Sequence, residues 1–348
     1  MKKRIIATLS AVLAVILLLF TSAFASSAAD DGLKNVDGKW IYVKDGVKDT
    51  SFTSLVKYYS TWYYVENGEL NWSFTGLTDY YGTKYYVENG VLNWDYTGLA
   101  LLGSDEWYYA ENGEVKNDYT GLTYFCGRWF YVEKSALNWD YTGLTNYYGT
   151  WYYVENSILN WSFTGLTDYY GTKYYVENGV LNWNYTGLAL LGSDEWYYAE
   201  NGAVKNDYTG LTYFCGRWFY VEKSALNWDF TGLTDYYGTK YYVENSILNW
   251  DYTGLALFGS DKWYYAENGT VKNDYTGLVH FGDRWLYVEK SAFNRDYTGL
   301  TNYYGTWYYV ENSILNWNYT GLTKYYDTWY YVENGVLNWN FSGAVLYG

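Results

Sequence analysis

Proline is missing altogether from the 348 residues, histidine and methionine occur once each, and cysteine twice. A zinc site built from nitrogen and sulfur ligands, a haem or a histidine-based triad therefore has no material. No metal ligand set, cofactor or catalytic residue is assigned, and the chain is read as a non-enzyme. Acidic pairs do occur, but Asp105 with Glu106 recurs as Asp194 with Glu195, and a repeating surface does not make the single asymmetric cleft that paired catalytic carboxylates require. Basic charge is scarce as well. Twenty-three Lys and Arg against 38 Asp and Glu give a formal charge of −15 with no offsetting basic cluster, which argues against nucleic acid as a partner. Beyond the first residues no apolar run is long enough to span a membrane.

Those first residues read as a secretory signal. Lys2, Lys3 and Arg4 precede an apolar stretch from Ile5 to Phe20, and the small-residue pattern at Ala23 and Ala25 places cleavage after Ala25. Residues 1–25 are thus expected to be a signal peptide and 26–31 a spacer. The mature protein is expected outside the cell and associated with the wall, touching a membrane only if the signal stays uncleaved. The cysteines, Cys126 and Cys215, sit at the same place in two copies of TYFCGRWFYVEKSALNW. Equivalent positions in distant copies lie too far apart for a disulfide, so two buried thiols in a tyrosine slot are expected. His280 replaces Tyr124 of a sister copy and is expected to be a surface residue without a partner.

What the chain has in abundance is aromatic: 50 Tyr, 20 Trp and 14 Phe. Self-comparison divides Gly32 to Ser342 into fourteen repeats, eleven of 22 and three of 23 residues, close to GLTDYYGTKYYVENGVLNWDYT. Positions are numbered 1 to 22 from the first glycine, the longer repeats adding one residue in the first turn. Glycine at position 7 and Asn-Gly at positions 14 and 15 punctuate short alternating segments, as turns do between strands. Positions 10 and 12 are expected on the inward side, with Leu at position 2, the aromatic at position 21 and the apolar position 17. One hairpin cannot bury that face, so residues 32–348 are predicted to be an all-β solenoid of stacked hairpins.

The other side of the strand carries the candidate chemistry. Position 9 is tryptophan in eleven repeats, among them Trp62, Trp107, Trp129, Trp151, Trp196, Trp218, Trp263, Trp285, Trp307 and Trp329; Lys84, Lys173 and Lys240 take the slot in the other three. Position 11 is always tyrosine, as in Tyr64, Tyr109, Tyr131, Tyr153, Tyr220 and Tyr309, and position 13 is glutamate in thirteen repeats. A second tryptophan stands at position 19 in nine repeats, including Trp72, Trp139, Trp161, Trp183, Trp228, Trp250, Trp317 and Trp339. Some repeats hold both, such as Trp62 with Trp72 and Trp151 with Trp161. Flat aromatic faces beside a carboxylate suit either sugar rings or quaternary ammonium groups. The expected partner is a cell-wall polymer or polysaccharide held at many weak sites. The alternative is a structural or adhesive rod that binds proteins or itself and whose aromatics only stabilise the sheet.

With its "GTWYYVENS" and "GTKYYVENG" segments and following "TGL" turn, the sequence resembles the choline-binding and glucan-binding repeats of Gram-positive surface proteins and clostridial toxin tails. That resemblance implies a hairpin per repeat, ligands in aromatic cages between consecutive hairpins, and choline-bearing teichoic acid as a possible wall partner. Where those repeats carry a glycine-tryptophan pair this sequence has glycine-leucine, as at Gly76 and Leu77, and the tryptophan at position 19 is the candidate replacement wall.

Overall fold

The structure is a computed structural model that describes residues 31–345; the expected signal peptide lies outside the described residues, as does nearly all of the spacer. Each of the fourteen repeats forms three strands, and there is no helix among the described residues. In the repeat that starts at Gly76 the strands are Gly76–Tyr80, Thr83–Glu88 and Val91–Leu92. The long pair is antiparallel, with Leu77 opposite Tyr86 and Asp79 opposite Lys84, and the short strand sets Leu92 opposite Val87. Both connections are two-residue turns with positive φ at each central residue, 51° and 86° at Tyr81 and Gly82, 49° and 76° at Asn89 and Gly90. That is the type I′ geometry whose twist matches the strands it joins.

Neighbouring hairpins are clamped through the second turn. The Tyr64 N–H donates to the Gly90 carbonyl at 2.9 Å, the Gly90 N–H donates to the Phe74 carbonyl at 2.9 Å, and the Asn89 N–H donates to Thr75 Oγ1 at 3.0 Å. The approach is so close that a Cβ on Gly90 would lie 2.6 Å from the Asn71 carbonyl oxygen, which is why glycine suits position 15. Six repeats nevertheless place serine there. Ser157 keeps a φ of 62° and is fully buried, and its hydroxyl has no hydrogen-bond partner.

The core runs through these junctions. Leu77, Tyr86, Val87 and Leu92 are all buried, Val87 completely. Position 11 therefore belongs to the core and not to the exposed face predicted for it: Tyr64, Tyr131, Tyr153, Tyr220 and Tyr309 are buried and Tyr109 is half-buried. The position 21 ring of the same repeat covers it, as Phe74 covers Tyr64 with centroids 3.9 Å apart and planes at 24°. Position 12 is inward as expected, and position 10, on the same side of the strand, packs against the same cluster but is only half-buried. The chain divides into two compact bodies, Met1–Phe163 with Asn178–Val180 and Thr164–Glu177 with Leu181–Gly348, and the stacking described here holds inside each.

Two smaller expectations are corrected. Cys126 and Cys215 are free, as anticipated, but exposed: the tyrosine slot they fill is the first residue of the first turn, where φ is 47° and the side chain points outward. His280 is exposed yet has a neighbour, meeting the Trp285 ring at 5.1 Å and 61°.

Candidate aromatic binding site

The position 9 tryptophan leans on the next repeat. Trp40 meets Tyr58 edge-on at 5.0 Å, and the same contact recurs as Trp62 with Tyr80, Trp129 with Tyr147, Trp218 with Tyr236, Trp285 with Tyr303 and Trp307 with Tyr325, at 5.0 to 5.4 Å. Position 5 of one hairpin thus walls position 9 of the one before. Burial raises the pKa of the position 5 phenols at Tyr80, Tyr147, Tyr236 and Tyr303, with the adjoining position 6 tyrosine adding to it, so these rings are uncharged walls.

The position 19 tryptophan is held differently. The preceding asparagine makes two bonds at once: Asn71 Oδ1 accepts the Ser73 N–H at 2.9 Å, and Asn71 Nδ2 donates to Glu66 Oε2 at 2.8 Å. The tryptophan between them is fixed on the rim, about half exposed in eight of its nine occurrences and 68% exposed at Trp339. Its edge contacts the position 10 ring of its own repeat, as Trp72 does Tyr63 at 5.9 Å and 81°. The position 13 glutamate, expected to line the ligand face, is committed to this asparagine in ten repeats, from Glu66 to Glu333.

These pieces close around a cavity of about 90 Å³ at the first junction, lined by Trp40, Tyr58, Tyr63 and Trp72 over Leu33 and Leu70. The cage is therefore built from position 9 of one repeat and positions 5, 10 and 19 of the next. The same ring set packs on buried leucines further along: Trp62, Tyr80 and Tyr85 on Leu55 and Leu92, Trp218, Tyr236 and Tyr241 on Leu211 and Leu248, and Trp307, Tyr325 and Tyr330 on Leu300 and Leu337. A wider groove shares the Trp–Tyr wall. It measures about 290 Å³ beside Trp62, Tyr80 and Tyr81, and about 480 Å³ beside Trp218, Tyr236 and Tyr237, where Asp235 and Thr212 add polar edges.

Sequence reading named the tryptophans of positions 9 and 19 as candidates, and in the structure the two that share a repeat face different junctions. Trp62 turns to Tyr80 of the following repeat, while Trp72 shares its cavity with Trp40 of the preceding one. Trp107 and Trp196 meet phenylalanine, Phe125 and Phe214, in place of tyrosine, and Trp139 and Trp228 lie against Phe130 and Phe219. Trp161, Trp183, Trp250 and Trp317 contact the position 10 tyrosines Tyr152, Tyr174, Tyr241 and Tyr308. Trp151 is half-buried. Trp263 packs on Phe281, but Arg295 stands where its partner tryptophan would be, and Trp329 is in the last repeat and exposed. The tyrosines of positions 5 and 10 were missed. Their signal was present in the order of the repeats: wherever position 9 is lysine, the next repeat lacks both the Tyr-Tyr turn and the second tryptophan.

Among curated proteins none matches the chain. Among solved structures, CbpJ from Streptococcus pneumoniae TIGR4 is 21% identical, with a TM-score of 0.29 over 82% of this chain and 100% of its own. Choline binding protein F from Streptococcus pneumoniae, solved in the presence of a peptidoglycan analogue, is also 21% identical, with a TM-score of 0.27 over 83% of this chain and 99% of its own. The choline-binding repeat itself matches at 31–49, 51–71, 73–93, 118–138, 140–160, 162–182, 207–227, 229–249, 251–272, 296–316 and 318–338. Of three longer internal gaps between the matches, 94–117 and 183–206 fall largely on long repeats that lack the second tryptophan, and 273–295 falls largely on the repeat that has Arg295 in its place. With eleven matched segments covering about two thirds of its residues, the chain belongs to the choline-binding repeat family.

Proposed function

We propose that this is an exported, non-enzymatic binding protein that attaches to cell-wall polymers bearing choline, through many equivalent aromatic cages. The observation that carries the reading is the cavity enclosed by Trp40, Tyr58, Tyr63 and Trp72. Its walls are four ring systems, whose electron-rich faces attract a cation without satisfying its hydrogen bonds, and its floor is leucine. A quaternary ammonium group has no hydrogen bonds to lose and three methyl groups to bury, so it gains from such a cage. An ordinary ammonium would lose its hydration there. The acidic balance of the chain favours a cationic ligand further. Each cage is small and open to solvent, so strength comes from number: several sites on one polymer raise avidity by about 10² to 10⁴.

The test is a titration of intrinsic tryptophan fluorescence with choline chloride, against sodium chloride at matched ionic strength. A saturable change with choline alone is expected. A response shared by both salts, or none, would sink the choline reading and leave the self-associating structural rod, whose sign is concentration-dependent assembly.

A further inference from the structure

Three junctions lack both tryptophans and the position 5 tyrosine of the cage. After Lys84 the next repeat has Leu102 and Asn117 at positions 5 and 19; after Lys173, Leu191 and Asn206; after Lys240, Phe258 and Asn273. The asparagine that holds the second tryptophan is replaced too, by Lys116, Lys205 and Lys272. Residues that vanish together from two neighbouring hairpins share one task. The position 10 ring remains, joined after Lys240 by Phe258 at position 5, and the lysine has moved onto it. Lys84 Nζ lies 5.0 Å from the Tyr108 centroid and Lys173 Nζ 5.2 Å from that of Tyr197; Lys240 Nζ is 4.9 Å from Phe258 and 5.3 Å from Tyr264. All are within reach of a cation–π interaction. The Tyr108 and Tyr197 hydroxyls donate to Glu106 and Glu195 at 3.0 Å, which makes those rings better cation acceptors. All three lysines are half-buried.

We propose that Lys84, Lys173 and Lys240 are resident occupants of their junctions. Each ammonium takes the place over the position 10 ring that a ligand's onium group takes in a complete cage, and so closes that junction to ligand. This rests on the onium reading of the open cages. It also orders them: in the first body two complete cages precede a closed junction and two follow it. Trp40/Trp72 and Trp62/Trp94 precede Lys84, and Trp107/Trp139 and Trp129/Trp161 follow it.

The experiment counts bound choline on the full chain by equilibrium dialysis and follows acetylation of Lys84, Lys173 and Lys240 by acetic anhydride with mass spectrometry. Acetylation of the three lysines is expected to proceed at the same rate with and without saturating choline, since nothing enters. The combined substitution Lys84→Trp, Leu102→Tyr and Asn117→Trp is expected to add one bound choline. If choline slows acetylation of these lysines in a chain that binds it saturably, the proposal falls while the reading of the open cages stands. A folded triple variant that binds no more choline than the wild type has the same meaning. If the triple variant does not fold, the acetylation rates on the wild type decide alone. A wild type that takes up no choline overturns the reading of the open cages, and this proposal with it.

Discussion

A tyrosine at the first residue of a type I′ turn adopts a left-handed conformation that its Cβ resists, and here it gains no burial in return. Tyr59, Tyr81, Tyr148, Tyr170, Tyr237, Tyr304 and Tyr326 all have φ between 45° and 55° and exposures of 84% to 92%. Asparagine tolerates this conformation far better. Replacing Tyr237 by Asn is therefore expected to raise stability by about 0.5–1 kcal/mol in thermal unfolding, while removing one rim of the 480 Å³ groove and weakening polymer retention. A stability gain with unchanged retention would show that the rim is idle. Ser157 combines the same backbone strain with burial and an unpaired hydroxyl, and Ser157→Gly is expected to stabilise by about 1 kcal/mol, read from the unfolding midpoint. Neither feature was visible beforehand, because a repeat consensus reports which residue recurs and not whether its backbone is strained.

Between hairpins, the position 21 tyrosine does what a phenylalanine there cannot. The hydroxyl of Tyr208 donates to the Leu211 carbonyl of the next repeat at 2.6 Å, and that of Tyr275 to Leu278 at 2.7 Å. Burial pushes the pKa of Tyr96, Tyr119, Tyr185, Tyr252 and Tyr275 from 10.0 up to about 12, with the neighbouring position 11 ring as the next contributor. Below pH 10 these phenols are protonated in both folded and unfolded chains and pH costs nothing. Between 10 and 12 the unfolded chain ionises first, so stability is expected to fall steadily over that window. Tyrosinate absorbance should show a late-titrating class that appears together with loss of structure; an early, fully reversible titration would contradict it.

The hairpins themselves were legible in the sequence. Asn-Gly and glycine spacing mark both turns, and the invariant Leu at position 2 and the Val or Ala at position 12 mark the core. The cage was not legible, because its walls belong to adjoining repeats and the columns of a consensus keep them apart. That division is testable by counting sites. Removing Trp218 and Trp250, which flank one cage, is expected to abolish one bound choline. Removing Trp218 and Trp228, from a single repeat, is expected to abolish two.

At the scale of the molecule, contacts inside each body run from hairpin to close neighbour, with no single core to be gained or lost at once. Unfolding is expected to be broad, with a calorimetric enthalpy larger than the van't Hoff enthalpy, as for other stacked repeats. A single sharp two-state transition would require coupling across many repeats. The charge of −15 adds a second whole-chain property: choline affinity is expected to weaken modestly with added salt, since screening removes the general attraction for cations but not the ring contacts. The proposed export, in contrast, rests on residues 1–25 alone: protein recovered from outside the cell is expected to begin at Ser26, and an N-terminus at Met1 would contradict cleavage after Ala25.

Each cage borrows one wall from one hairpin and three from the next, which gives the gene a simple arithmetic. A duplication of one repeat, in register, adds a junction without any new point mutation, and a deletion removes one while splicing the two flanking halves together. Whether the new junction works depends only on which neighbours meet: a lysine hairpin placed before a complete Tyr-Tyr and tryptophan hairpin would make a hybrid, occupied on one side and walled on the other. Recombination among near-identical copies can thus lengthen, shorten or punctuate the array of sites while every hairpin still finds the same partner surface.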